Sequence, residues 1–195
     1  MATLNRLPGG VGASVSAVTA LLDGRPSTVL DAGCGFGDFA RRLRRAHGAA
    51  VIAADVSPEV VSIARGRLAA VRGVEVLHAD VRALPLDDGA VDVAHASLLL
   101  HHLDADDAVT AFTEMRRVAR GGVVVNDLRR GPIAFAVTAA TVLALSRSPM
   151  THHDGVLSAR RAWSLAEQDQ LAARAGLRPV WRTPSAWPRV TTVYR

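Results

Sequence analysis

The stretch V-L-D-A-G-C-G-F-G-D, Val29 to Asp38, sets alternating glycines at Gly33, Gly35 and Gly37 between an apolar run and a helical pattern. Glycine has no Cβ, so such a backbone turns sharply and lies close against a ligand. A dinucleotide loop of the G-x-G-x-x-G kind needs its third glycine at position 38, where Asp38 stands. A loop made for pyrophosphate also gains little from carboxylates, yet Asp31 and Asp38 flank this one. Acidic residues so placed suit a cationic ligand. Two further carboxylates repeat the placement. Asp55, followed by Val56, closes the next apolar run, where a ribose hydroxyl pair would sit. Asp80, followed by Val81, closes the third, where a carboxylate accepts from an adenine amino group.

Groups able to move a proton near neutral pH are the paired histidines His101 and His102, and His152 and His153. Asp154 follows the second pair and offers a carboxylate to orient an imidazole. Each pair has a plainer reading: packing or helix-start hydrogen bonding for His101 and His102, a solvated turn for His152 and His153. A catalytic metal is not expected, because no acid follows the fourth apolar run to complete a site with Asn126 and Asp127.

The elements that must position these groups alternate along the chain. Short apolar runs at Thr28–Leu30, Val51–Ala54, Val74–Leu77, Val91–Ala94 and Val123–Val125 read as buried strands. Ser57 caps a helix with Pro58 in its first turn and Val61, Ala64, Leu68 and Val71 on one face. Asp104 starts another, with Ala108, Phe112, Met115 and Ala119 recurring at helical spacing before Gly121 and Gly122. Ser164 and Glu167 form a capping box, Gly176 ends that helix, and two strands near 177–182 and 189–194 follow. This order predicts an α/β, Rossmann-like doubly wound sandwich. One domain over residues 1–195 is expected, with an insertion at 131–162 that walls or covers an acceptor site. An ordinary core helix is the plainer reading of that insertion.

Composition narrows the classes. Apolar residues make up 49% and aromatics only 4%, so the core is built from Ala, Val and Leu. The single cysteine, Cys34, cannot form an internal disulfide, and the first ten residues lack the apolar centre of a secretory signal. A cytoplasmic protein without a membrane span is expected. The net charge is +5 and every one of the 23 basic residues is arginine. Arg41, Arg42, Arg44 and Arg45 have no interleaved aromatics, so they read as a solvated helix face rather than a nucleic-acid surface.

The motifs resemble those of class I S-adenosylmethionine-dependent methyltransferases, in particular the small-molecule group of ubiquinone and menaquinone methyltransferases. V-L-D-A-G-C-G-F-G matches the first family motif, and A-A-D-V-S-P-E-V-V-S-I-A-R the second. H-A-D-V-R-A-L-P-L-D-D-G-A-V-D-V covers the third and fourth, and L-L-L-H-H-L a histidine-bearing segment that follows. R-V-A-R-G-G departs from the usual L-K-P-G-G. The resemblance implies a seven-stranded, mostly parallel sheet with its last strand antiparallel. It implies S-adenosylmethionine as cofactor, with the three glycines at the methionine moiety, Asp55 at the ribose, Asp80 with Val81 at the adenine, and Asp31 and Val56 also among the cofactor-binding residues. Ala96 or Ser97 would help hold the amino group. The expected reaction is methyl transfer to a small, fairly apolar metabolite, with oxygen the expected atom, His153, His102 and His101 as candidate bases and a monomer or homodimer as the working form. A nucleic-acid methyltransferase and a non-catalytic cofactor-binding regulatory module are the alternatives.

Overall fold

The computed structural model describes residues 10–22, 24–131, 135, 137, 160–183 and 188–195. In chain order the elements are α1 (Val11–Leu22), β1 (Thr28–Ala32), α2 (Asp38–His47), β2 (Ala50–Asp55), α3 (Pro58–Leu68) and β3 (Val74–His78). Then come β4 (Val93–Ser97), a 3-10 turn (Leu100–His102), α4 (Ala105–Val118), β5 (Val123–Leu128), α5 (Leu165–Arg174), β6 (Pro179–Arg182) and β7 (Arg189–Tyr194).

The strands form one sheet in the order β3-β2-β1-β4-β5-β7-β6. The first five run parallel, and β7 lies antiparallel to both β5 and β6. The chain winds outward from β1 to β3 and then returns to place β4 on the other side of β1. That reversal falls between β1 and β4, and open sheets of this kind take ligands at the carboxyl ends of the strands beside such a switch point.

Each face of the sheet is covered. On one, Leu30, Ala94 and Val125 pack against Phe112 and Met115 of α4 and Leu171 of α5. Phe112 meets Tyr194 of β7 edge to face, at 5.4 Å between ring centroids. On the other, Val29, Val51 and Val124 pack against Val18 of α1, Leu43 of α2 and Ala64 of α3. Helix starts follow the sequence: the Ser57 side chain accepts from Val60 N–H, Asp104 from Asp107 N–H, and Ser164 and Glu167 cap each other's backbone. No helix among the described residues is long and apolar enough to cross a membrane.

Two elements differ from the sequence expectation. Helix α1 was not anticipated; it lacks a capping side chain and carries Gly12, Ser14 and Ser16, yet buries Val11, Val15, Val18 and Leu22 on one face. The fourth strand starts later than Val91, which makes only an isolated bridge to Ala119, and runs on through His95 and Ser97. Polar residues read as a strand's end here continue it, because each finds a partner across the sheet.

Phe112→Ala removes a fully buried ring from between α4 and β7. A loss of about 3–5 kcal/mol is expected for such a truncation, measured by urea unfolding.

Candidate functional site

The three loop glycines all have positive φ, +67° at Gly33, +52° at Gly35 and +78° at Gly37. They serve different ends. A Cβ on Gly37 would lie 2.5 Å from Leu68 Cδ1, so this glycine lets α3 pack against the loop. A Cβ on Gly35 would meet nothing within 4 Å, so its outer side opens on free space. Cys34 N–H donates to Ala54 O, tying the loop to β2. Burial pushes the Cys34 thiol far up, with the charges of Asp31 and Asp55 adding to it, so the thiol stays neutral.

Asp55, at the end of β2, faces the loop. One carboxylate oxygen accepts from Gly35 N–H at 3.0 Å and the other from Ser57 N–H at 3.1 Å. These bonds orient the group and leave lone pairs for outside hydroxyls. Val56 beside it is 60% exposed, and Phe36 in the loop is also exposed. Val81 is buried. Asp80 is gripped by Arg82, whose hydrogen bonds hold its carboxyl below the usual carboxylate range despite partial burial.

Asp31 lies one layer deeper. It is paired in register with His95 on β4, whose Nδ1 is 2.9 Å from Asp31 Oδ1. The His95 ring stacks on Phe39 of α2 at 3.6 Å. Phe39 follows the loop and Asp31 precedes it, so His95 braces both ends. Asp31 Oδ2 is buried without a hydrogen-bond partner.

Beyond Ser97 the chain turns through Leu98, the one non-glycine among the described residues with positive φ, at +55°. Such strain persists only where the surroundings enforce it. Here Leu98 N–H donates to Asn126 O, Leu100 N–H to Asp127 Oδ2 at 2.7 Å, and Trp163 Nε1–H to Leu100 O at 3.0 Å. The turn lays Leu99 against Gly33. It also brings His101 Nδ1 to 2.6 Å from Asp127 Oδ1. Both residues are buried, and the His102 ring lies against that of His101 at 4.2 Å. Burial alone would push the Asp127 carboxyl up. The charge and hydrogen bond of His101, with the N–H groups of Leu128 and Leu100, outweigh that and hold it below the usual range. Arg189, at the start of β7, reaches Ser97 Oγ at 2.8 Å and Asn126 Oδ1 at 3.1 Å. Burial pulls its guanidinium down to about 10 against the charge of Asp127.

The structure thus brings Gly33, Gly35, Gly37, Asp31, Asp55, Val56, Asp80, Val81 and Ser97 to one edge, with His101 and His102 beside them. His152 and His153, and most of the 131–162 insertion, lie outside the described residues. Sequence reasoning missed His95, Arg189 and the pairing of Asp127 with His101. Among the described residues no cluster of His, Cys, Asp and Glu is arranged to hold a metal ion.

Residues 29–122 match the family described as methyltransferase domain. A malonyl-[acyl-carrier protein] O-methyltransferase of Pectobacterium atrosepticum is 40% identical over 111 residues, 57% of this chain and 38% of the relative. A demethylmenaquinone methyltransferase of Thermus thermophilus is 42% identical over 113 residues, 56% of this chain and 50% of the relative. The chain spans half or less of the length of these two relatives. Magnesium protoporphyrin IX methyltransferase from Synechocystis, solved with bound S-adenosylhomocysteine, shares the fold with a TM-score of 0.69 at 16% identity, covering 94% of this chain and 80% of that one.

Asp127→Ala strands two N–H groups and an imidazole nitrogen inside the protein. It is expected to cost about 3–5 kcal/mol at neutral pH, as loss of one partner of a buried pair does, while Asp127→Asn keeps one acceptor and costs less. Because the folded carboxyl titrates below its unfolded value, its contribution is present at neutral pH and is lost as pH falls through the folded value, below about pH 4. Urea unfolding at neutral and acid pH checks this: the gap to wild type should narrow in acid, and equal stabilities at neutral pH would refute it.

Proposed function

Because residues 29–122 match the family described as methyltransferase domain, we propose that the protein binds S-adenosylmethionine over the carboxyl edge of β1, β2 and β4 and methylates a small, fairly apolar acceptor at oxygen. The observation that carries this reading is the loop itself: open space outside Gly35, with Asp55 locked behind it as an acceptor for a hydroxyl pair. The unpartnered, buried Asp31 Oδ2 fits a ligand that brings positive charge to the loop. Asp31 and the glycines would hold the methionine end, Asp55 with Val56 the ribose, and Asp80 with Val81 the adenine, while Ser97 faces the amino group. When bound, the cofactor supplies an electrophilic methyl group on a sulfonium.

The protein's own part is alignment and removal of the acceptor's proton. A phenol, enol or carboxylic acid fits this need, and relatives named as methyltransferases of malonyl-[acyl-carrier protein] and demethylmenaquinone support a small-molecule acceptor. His101 is the base in this reading. Asp127 takes its Nδ1–H, which leaves Nε2 as the proton acceptor in the neutral ring. The Leu98 turn sets that ring two residues from Leu99, which rests on Gly33.

Calorimetry with S-adenosylhomocysteine tests the cofactor. Asp55→Ala should weaken binding by about 1–3 kcal/mol, and Gly35→Val should abolish it; no binding to the folded wild type would overturn the reading. Transfer of labelled methyl to phenols, quinols, polyketides and fatty acids tests the acceptor. His101→Ala should then slow transfer by about 10²–10⁴-fold with S-adenosylhomocysteine affinity nearly unchanged. A loss confined to His102→Ala or His153→Ala would move the chemistry to those residues, and binding without transfer would leave a regulatory module.

A further inference from the structure

The third carboxylate, Asp80, is held by an arginine, whereas Asp31 pairs with the His95 imidazole and Asp55 is met by backbone N–H groups. Arg82 grips it three ways: its backbone N–H donates to Oδ1 at 2.9 Å, Nε–H lies 3.0 and 3.1 Å from the two oxygens, and Nη2–H donates to Oδ2 at 2.6 Å. The far side of the same guanidinium donates through Nη1 to Asp107 Oδ2 at 2.7 Å, in the first turn of α4. Asp107 is itself fixed, because its N–H is capped by Asp104. Arg82 is therefore a planar brace between the loop after β3 and the start of α4.

A carboxylate has about four lone-pair positions. Arg82 fills three of them, through its backbone N–H, Nε–H and Nη2–H, and one remains. That fits a single N–H donor. An exposed ion pair of this kind contributes little to stability, yet ordering two long side chains costs entropy. The pair is therefore better explained by the orientation it imposes on Asp80 than by the stability of the fold.

We propose that Arg82 makes the site select a 6-amino purine over a 6-oxo purine, by holding Asp80 as an oriented acceptor with one position open. A 6-amino group donates into that position. A 6-oxo group brings a second acceptor against the carboxylate, and only a protonated Asp80 would donate to it. The guanidinium disfavours that protonation, since its hydrogen bonds hold the carboxyl below the usual range. Arg82 touches neither base nor methyl group in this scheme; it is a positioning residue, and the inference rests on the cofactor reading above.

The test is calorimetry of S-adenosylhomocysteine and its deaminated counterpart, S-inosylhomocysteine, on wild type, Arg82→Ala and Arg82→Lys. Wild type should prefer the 6-amino ligand by about ten- to a hundredfold, the range of a hydrogen bond to a charged group. Arg82→Ala should cut that preference by about tenfold, mostly through weaker binding of the 6-amino ligand. Arg82→Lys keeps the charge but not the fork, so it should resemble Arg82→Ala. A purely structural role would weaken both ligands alike and leave the ratio intact. A ratio within about twofold of wild type in both variants, with thermal unfolding unchanged, overturns the assignment of Arg82 alone. Failure of folded wild type to bind either ligand overturns the cofactor reading and this inference with it.

Discussion

A carboxylate removed from water must be met by donors, and around Asp127 that requirement organises the carboxyl edge of the sheet. Burying such a charge costs several kcal/mol even after relaxation. Three donors, Leu100 N–H, Leu128 N–H and His101 Nδ1, answer it with bonds of about 1.5–3 kcal/mol each to a charged group. The sums are close, so losing any one donor tips the balance. This is why the turn after β4 can keep Leu98 at a positive φ: the strain is smaller than the cost of withdrawing Leu100 from the carboxylate. Leu99 lies on Gly33 because Leu100 is held, and His101 is oriented for the same reason.

A second polar layer lies beneath helix α1. Asn126 Nδ2 donates to Gly10 O and Ser14 Oγ, and its Oδ1 accepts from Arg189. The amide thus joins the start of α1 to the ends of β5 and β7. Arginine's fork also explains how a chain without lysine uses its basic residues. Arg117 holds Glu114 and Asp88 and two carbonyls, Leu84 O and Leu86 O, fastening the loop before β4 to α4. Within the dense cluster on α2, Arg41 pairs with Asp38, and Arg44 donates to Arg72 O and Gly48 O. The basic residues serve as ties more than as an electrostatic surface.

The succession of strands along the chain, and the glycine loop and carboxylates at their ends, were legible because both depend on local signals. An unbroken apolar run reads as a buried parallel strand, and a glycine loop or a carboxylate at the run's end needs no distant partner to be noticed. The pairings were not legible. His101 and Asp127 lie 26 residues apart, and Asp31 and His95 lie 64 apart; only the order of strands in the sheet makes them neighbours. His95 and Ser97 look like loop residues until Asp31 and Arg189 are set opposite them. Helix α1 was hidden by weak helix formers, although Val11, Val15, Val18 and Leu22 already carried its periodicity.

The antiparallel pairing of β5 and β7 has a consequence for how such a protein changes over generations. Six register pairs, from Val123 with Tyr194 to Leu128 with Arg189, fix where the chain leaves the sheet and where it returns. Exit and return are adjacent residues of one ladder, and Arg130 N–H donates to Trp163 O just beyond, so the sequence between those two residues can change in length without shifting Asp127 or Arg189. The glycine loop and its carboxylates belong to an earlier part of the chain. A change in that stretch need not disturb the loop or its carboxylates, a separation of one part of the chain from another that lets each alter on its own.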